Sequence, residues 1–209
     1  MLEWLCNLDQ SFLLFLQNYV REDFLTFAMR VITILGNAGM IWILITVILL
    51  LMPKYRKLGL TCGVALLLSL LINNLFLKNV IARTRPFDAI EGLIPLIPHP
   101  IDFSFPSGHT ASSFAAGFLL FRRLPKKYGI LMFGLAILIS FSRLYVGVHY
   151  PSDVLAGIVS GICISYLAEW IVRVITERVK SGDRKNHSSA QDASGYLQSV
   201  RKNVGGREQ

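Results

Sequence analysis

Two stretches of this chain carry no charged side chain at all, Val31 to Pro53 and Leu58 to Leu77. Each supplies the ~20 largely apolar residues that a helix needs to cross a bilayer. With no water available there, backbone polar groups have to bond within the segment, which admits helix and excludes an open sheet. Three further apolar segments, Ser107 to Leu124, Tyr128 to Val148 and Ser152 to about Ile175, are interrupted by charge near one end and read as additional spans. The expected fold class is all-α, a polytopic membrane helix bundle of about five transmembrane helices, with six as the alternative, plus an N-terminal interfacial helix.

That helix belongs to residues 1–30, where Leu, Phe and Trp are broken by Glu3, Asn7, Asp9, Gln10, Gln17 and Asn18. The pattern suits an amphipathic segment lying at the membrane surface, the competing reading being a sixth span. It lacks the basic n-region and small-residue cleavage site of a signal peptide, so the first true span is expected to direct targeting. Residues 31–177 form the expected membrane-embedded domain. Residues 178–209 turn polar and basic, and are expected to be a disordered cytoplasmic tail, a short helix over Tyr196 to Val200 being the alternative.

The formal net charge of +8 sits at span ends and in the tail, with no aromatic-interleaved basic face, so nucleic acid is not an expected partner. Cys6, Cys62 and Cys163 have no metal or redox spacing and read as buried free thiols. The basic connections Lys54 to Lys57 and Arg122 to Lys127, with Arg173, Arg178 and Lys180, mark the cytoplasmic side by the positive-inside rule. Lys78, Arg85, Ser107, His109, Arg143, His149 and Asp153 then all fall at the opposite, external face.

These residues have a chemistry in common. Lys78 and Arg85 close the second span ahead of Pro86, and the plainer account makes both snorkelling cations. Arg83 reads as a surface cation. Pro106-Ser107-Gly108-His109 opens an apolar helical run, where free N–H groups and the helix dipole favour an anion, and His109 is placed to hand a proton to a leaving oxygen; an ordinary N-cap is the alternative. Arg143 lies roughly 8 Å inside the fourth span and needs an anionic partner. His149 and Asp153 are four residues apart, so that the carboxylate can fix one imidazole tautomer and leave the other nitrogen as nucleophile; a loop-fixing hydrogen bond is the plainer reading.

An excess of fixed cations over carboxylates makes no divalent metal necessary, and no cofactor is expected. Asp88, Glu91, His99 and Asp102, in the long external loop, read as solvated or substrate-adjacent. Asn73 and Asn74 are candidates for lining lipid access or for interhelical hydrogen bonds, and Gly157, Ser160 and Gly161 for helix packing. Glu169 and Asp153, as ionisable groups inside a span, qualify as functional candidates.

Taken together, Lys78-x6-Arg85-Pro86, Pro106-Ser107-Gly108-His109 and Ser142-Arg143-x5-His149-x3-Asp153 resemble the three signature blocks of the type 2 phosphatidic acid phosphatase superfamily, the membrane lipid phosphate phosphatases. The resemblance covers about residues 33 to 175. It implies that His149 attacks phosphorus, Asp153 orients it, and His109 protonates the leaving group and later activates water, while Lys78, Arg85, Ser107, Gly108 and Arg143 bind phosphoryl oxygens. The sequences flanking Arg85 and His149 are similar to small bacterial members that dephosphorylate undecaprenyl diphosphate. The expected activity is therefore metal-independent hydrolysis of a membrane polyprenyl diphosphate through a phosphohistidine. Phosphatidate or phosphatidylglycerophosphate hydrolysis, and lipid-phosphate binding or transport without hydrolysis, are the alternatives.

Overall fold

The uncharged run from Val31 breaks in its middle because Gly36-Asn37-Ala38-Gly39 cannot continue a helix. Ala38 and Gly39 take φ of 50° and 69°, a left-handed conformation that glycine adopts without a Cβ penalty. The result is two helices, α2 (Asp23–Leu35) and α3 (Met40–Leu51), bent by 50°. Ahead of them lies α1 (Leu2–Phe15), which continues as a π-helical stretch Leu16–Val20. The structure, a computed structural model, describes the backbone of residues 2–205 and the side chains of residues 4, 6–179 and 181.

The second uncharged run forms α4 (Arg56–Ser69), a π-helical segment Leu70–Leu77 and the short α5 (Lys78–Ile81). A long loop containing α6 (Pro86–Ala89) leads to α7 (Gly108–Arg123), then α8 (Lys126–Tyr145) and α9 (Pro151–Gly205). Among the described residues there is no strand, as the fold class required. Among the described residues, three helical segments are long and apolar enough to cross a membrane, Pro53–Ala89, Lys126–Tyr145 and Pro151–Val179, and a fourth if the bent α2–α3 pair is one span.

α7, with 16 residues, lies in the middle of the bundle, packed on α8, α4 and α3. Ala111, Ala115, Ala116, Leu119 and Leu120 are fully buried on it. Trp42 of α3, also fully buried, donates its indole N–H to Ser113 Oγ of α7 at 2.9 Å. A methyl group built on Gly161 of α9 would lie 2.6 Å from the Ala111 carbonyl oxygen, and one on Gly157 would lie 2.9 Å from that of Ser107. Small residues four apart thus bring α9 onto the backbone of α7, the kind of contact that holds helices together where lipid competes for apolar surface.

Glu169 pairs with Arg122 at 2.8 Å and with Arg123. Sixteen residues of helix, roughly 24 Å, separate it from Asp153, so it ties α7 to α9 and is no part of the site. Asn73 accepts from Ser160 of α9 at 2.8 Å, an interhelical bond of the expected kind. Cys62 is buried, but Cys6 and Cys163 are exposed on apolar helices, contrary to expectation.

Residues Met1–Glu169 form one compact unit and Trp170–Gln209 a second. In the second the backbone is helical to Gly205, and no proline follows Pro151 to interrupt it. The tail's side chains from 182 onward lie outside the described residues. α1 is one-sided. Trp4, Phe12, Phe15 and, beyond it, Tyr19 are exposed, whereas Leu13 and Leu16 are buried and Leu13 clusters with Ile90, Leu93 and Tyr150. Gln17 and Arg21 bond the backbone of Gly92 and Ile94, fastening this segment to the long loop.

Candidate active site

Each candidate side chain is delivered by the end of a helix. The π-helical stretch inserts an extra residue per turn just before Lys78, a distortion frequent at functional sites. Ala82 at φ 49° then reverses the chain, and Arg85 is extended before Pro86, as a residue preceding proline prefers to be. Ser107 caps α7, its hydroxyl accepting from Thr110 Oγ1 at 3.0 Å, while its own N–H donates to the Asp153 carbonyl at 3.1 Å. Gly108 and His109 follow as the first helical residues, whose N–H groups have no carbonyl one turn back to bond. Arg143 sits in the last turn of α8, nearer its end than the sequence suggests, because the helix stops at Tyr145 ahead of Gly147 at φ 77°.

His149 and Asp153, four residues apart, meet across the start of α9 and are essentially fully buried. Nδ1 of His149 lies 3.5 Å from Asp153 Oδ2, and Nε2 lies 3.4 Å from Arg85 Nη1. One nitrogen thus faces a carboxylate and the other a cation. Asp153 Oδ2 also accepts from Ser104 Oγ at 2.5 Å and from the Tyr150 N–H at 2.9 Å. Burial, reinforced by Arg143 and Arg85 and opposed by Asp153, pushes the His149 pKa down to about 3, leaving the imidazole neutral at ordinary pH.

Lys78, Arg85 and Arg143 are all buried and line one cavity of about 1280 Å³, together with Gly108, His109 and His149. Asp102, expected to be solvated or substrate-adjacent, lines the cavity and bridges two of these cations: it pairs with Lys78 and with Arg85 Nη2 at 2.6 Å. Burial by itself would raise its pKa, but Lys78 and Arg85 prevail and pull it down to about 2. Arg143 donates to Thr33 Oγ1 at 2.6 Å, and its buried Nε has no hydrogen-bond partner. An orphaned donor on a buried cation marks a place where an anion would be favoured.

His109 approaches the same cavity from the start of α7, and its Nε2 lies 3.0 Å from Asn37 Oδ1 in the break between α2 and α3. Gly36 leaves room for the ring, since a Cβ there would come within 2.8 Å of His109 Cδ2. Asn74 lines the cavity against Gly108, whereas Asn73 faces α9. Apolar Ile34, Ile43, Leu66 and Leu70 wall the rest, so the hollow is cationic at one end and greasy beyond it. Asp88 and Glu91 are exposed, and His99 stacks on Phe87 at 4.5 Å. Among the described residues, no three His, Cys, Asp or Glu side chains converge.

All eight candidate residues therefore gather at one end of the helices: Lys78, Arg85, Gly108, His109, Arg143 and His149 on the cavity, with Asp153 and Ser107 behind His149 and beneath Gly108 respectively. Sequence reasoning missed Ser104, Asn37, Thr33 and Asp9. It also misjudged Arg83, which is no free surface cation but pairs with Asp153 Oδ1 at 2.6 Å. The only available signal for Arg83 was its place two residues before Arg85.

A profile of the PAP2 superfamily matches residues 58–177, more than half of the chain. The chain belongs to the PAP2 superfamily. It is 38% identical over 128 residues to an undecaprenyl-diphosphatase of Sulfolobus acidocaldarius, covering 61% of this chain and 62% of that one. It is 34% identical over 173 residues to phosphatidylglycerophosphatase B of Bacillus subtilis, covering 77% and 80%. This PAP2 chain thus spans about three fifths of the first of these relatives. Its fold resembles the crystal structure of Aquifex aeolicus LpxE, with a TM-score of 0.67 at 26% identity over 78% of this chain and 93% of that one. That of the transmembrane PAP2 type phosphatidylglycerolphosphate phosphatase from Bacillus subtilis is similar too, with a TM-score of 0.65 at 28% identity over 81% and 86%.

Proposed function

We propose that this protein is a membrane lipid phosphatase that hydrolyses a polyprenyl diphosphate of the undecaprenyl type to its monophosphate, through a phosphohistidine and without a metal ion. The observation that carries the reading is the polarity of His149: Nδ1 towards Asp153, Nε2 towards Arg85 at the cationic end of the cavity. A carboxylate at Nδ1 keeps the proton there and leaves the Nε2 lone pair for phosphorus. In the first step the Nε2–P bond forms, the bond from phosphorus to the leaving oxygen breaks, and His109 gives that oxygen a proton. In the second, His109 takes a proton from water, the water oxygen bonds phosphorus, and the P–N bond breaks to release inorganic phosphate.

Lys78, Arg85 and Arg143, with the first N–H groups of α7, are suited to the charge on the equatorial oxygens, so a divalent cation has no necessary part. The apolar wall suits a lipid body whose headgroup enters the cationic end. Names of relatives support diphosphate as substrate, and an external active-site face rests on the positive-inside pattern of the loops. Phosphatidylglycerophosphate is the second reading, favoured by the longer alignment to phosphatidylglycerophosphatase B.

The test is a panel of polyprenyl diphosphate, phosphatidate and phosphatidylglycerophosphate, with purified detergent-solubilised enzyme, with and without EDTA. Expected are the highest kcat/KM on the diphosphate, no loss with chelator, and an acid-labile phosphoenzyme absent from His149→Ala. Wild-type turnover by His149→Ala would end the mechanism, and a preference for either monoester would reassign the substrate.

A further inference from the structure

Asp9 lies on α1, outside the residues that match the PAP2 profile, yet it is buried among the groups behind the nucleophile. Its exposure is 5%, low for an aspartate. Oδ1 accepts from the Ser152 backbone N–H at 3.0 Å, and Oδ2 accepts from Arg83 Nη2 at 2.9 Å and from the Ser152 hydroxyl. Arg83 reaches on with its other nitrogen, donating from Nη1 to Asp153 Oδ1 at 2.6 Å and to Ser152 Oγ at 2.7 Å. The guanidinium lies 3.8 Å over the Tyr150 ring.

This divides the labour of the Asp153 carboxylate. Oδ1 is held by Arg83, and Oδ2 is left to Ser104, the Tyr150 N–H and the His149 imidazole. A planar guanidinium fork fixes orientation in a way a lysine cannot. Paired with Asp153 alone, it would also draw negative charge away from His149. A second carboxylate on its far edge shares that cation and leaves Asp153 a stronger acceptor for the imidazole N–H. Burying two carboxylates around one arginine is costly where packing alone would serve, and α1 is already fastened by Leu13, Leu16 and Gln17.

We propose that Asp9 and Arg83 are positioning residues for the nucleophile, an Asp9–Arg83–Asp153 relay that aims Asp153 at His149 and makes the N-terminal helix a working part of the active site. The inference rests on His149 being the nucleophile, as proposed above. It is tested by a double-mutant cycle of D9N, D153N and D9N/D153N in purified enzyme, reading kcat, KM and thermal unfolding, with R83Q and R83K alongside. D9N is expected to lower kcat about 10-fold or more with KM within about twofold, and R83K is expected not to rescue R83Q. In the D153N background D9N should change kcat by less than about twofold, since a relay acting through Asp153 has nothing left to lose.

Independent, multiplicative losses from D9N and D153N would overturn the relay, as would unchanged kcat in folded D9N or a loss confined to KM. Should D9N fail to fold, R83Q takes its place in the cycle under the same criteria, and failure of both to fold would reduce the network to a structural tie and overturn the proposal. An active His149→Ala enzyme without a phosphoenzyme sinks the underlying mechanism instead, a result that the cycle cannot mimic.

Discussion

At the scale of single residues, the site is a set of charges each answered by a named partner, with one donor left over. Lys78 and Arg85 are answered by Asp102, and Arg83 by Asp9 and Asp153. Arg143 has Thr33, a neutral partner, and an orphaned Nε. A charge-assisted hydrogen bond is worth ~1.5–3 kcal/mol, so Arg143→Gln should cost about 10- to 100-fold in kcat/KM, measured by steady-state kinetics on the preferred lipid. Residue types and spacing made Lys78, Arg85, His109, Arg143, His149 and Asp153 legible, because histidines, a carboxylate and fixed cations are chemically unusual at the ends of apolar helices. Ser104, Asn37 and Asp9 were not legible. Serine, asparagine and a lone aspartate in a polar stretch look the same in sequence whether they face water or a buried histidine.

At the scale of elements, helix approach and loop placement govern the site more than helix propensity does. Gly157 of α9 passes the Ser107 carbonyl, the residue that caps α7 and binds Asp153 through its N–H. Gly157→Val has no space there; overpacking costs ~1–3 kcal/mol, so a lower unfolding temperature in detergent is expected together with a fall in kcat, as the α7 N-terminus moves away from His149. The loop between α6 and α7 brings Asp102 onto the two cations that a phosphoryl group would use. Because its pKa lies near 2, Asp102 stays ionised, and its contribution to holding the loop is lost only as pH falls through about 4 towards 2. It is about half exposed, and pairs of that kind are worth up to ~1 kcal/mol. Asp102→Asn should therefore tighten inhibition by inorganic phosphate, by up to about fivefold, measured as a lower inhibition constant at neutral pH. The sequence pattern placed the helices well but not their neighbours, since an apolar run reports a helix and not whether lipid or protein surrounds it.

At the scale of the whole molecule, acid sensitivity and orientation follow from where the buried groups lie. His149 is neutral when folded, with its pKa lowered to about 3, against ~6.5 for a free histidine. Between those values the unfolded chain holds a proton that the folded one does not, so stability rises with pH there and is complete above about pH 6.5. Unfolding in detergent should show stability falling on acidification below about 6.5, by about 1.4 kcal/mol per pH unit at most from this imidazole, and His149→Gln should flatten that slope. The orientation proposed from loop charge predicts that a cysteine at the fully exposed Ile101, in a variant lacking the native cysteines, is labelled by an impermeant thiol reagent in intact cells; labelling only after lysis would invert the topology. The sequence by itself determined that this chain is an all-helical PAP2 protein with its candidate site residues at one end of the helices, because apolar run length and motif spacing are local properties that survive in one dimension. Only the tertiary structure decided that α7 is central, that Asp102 sits on the cations and that Asp9 reaches Arg83 behind Asp153. Those depend on helix approach distances and on which buried charge finds which partner across 70 to 140 residues of chain.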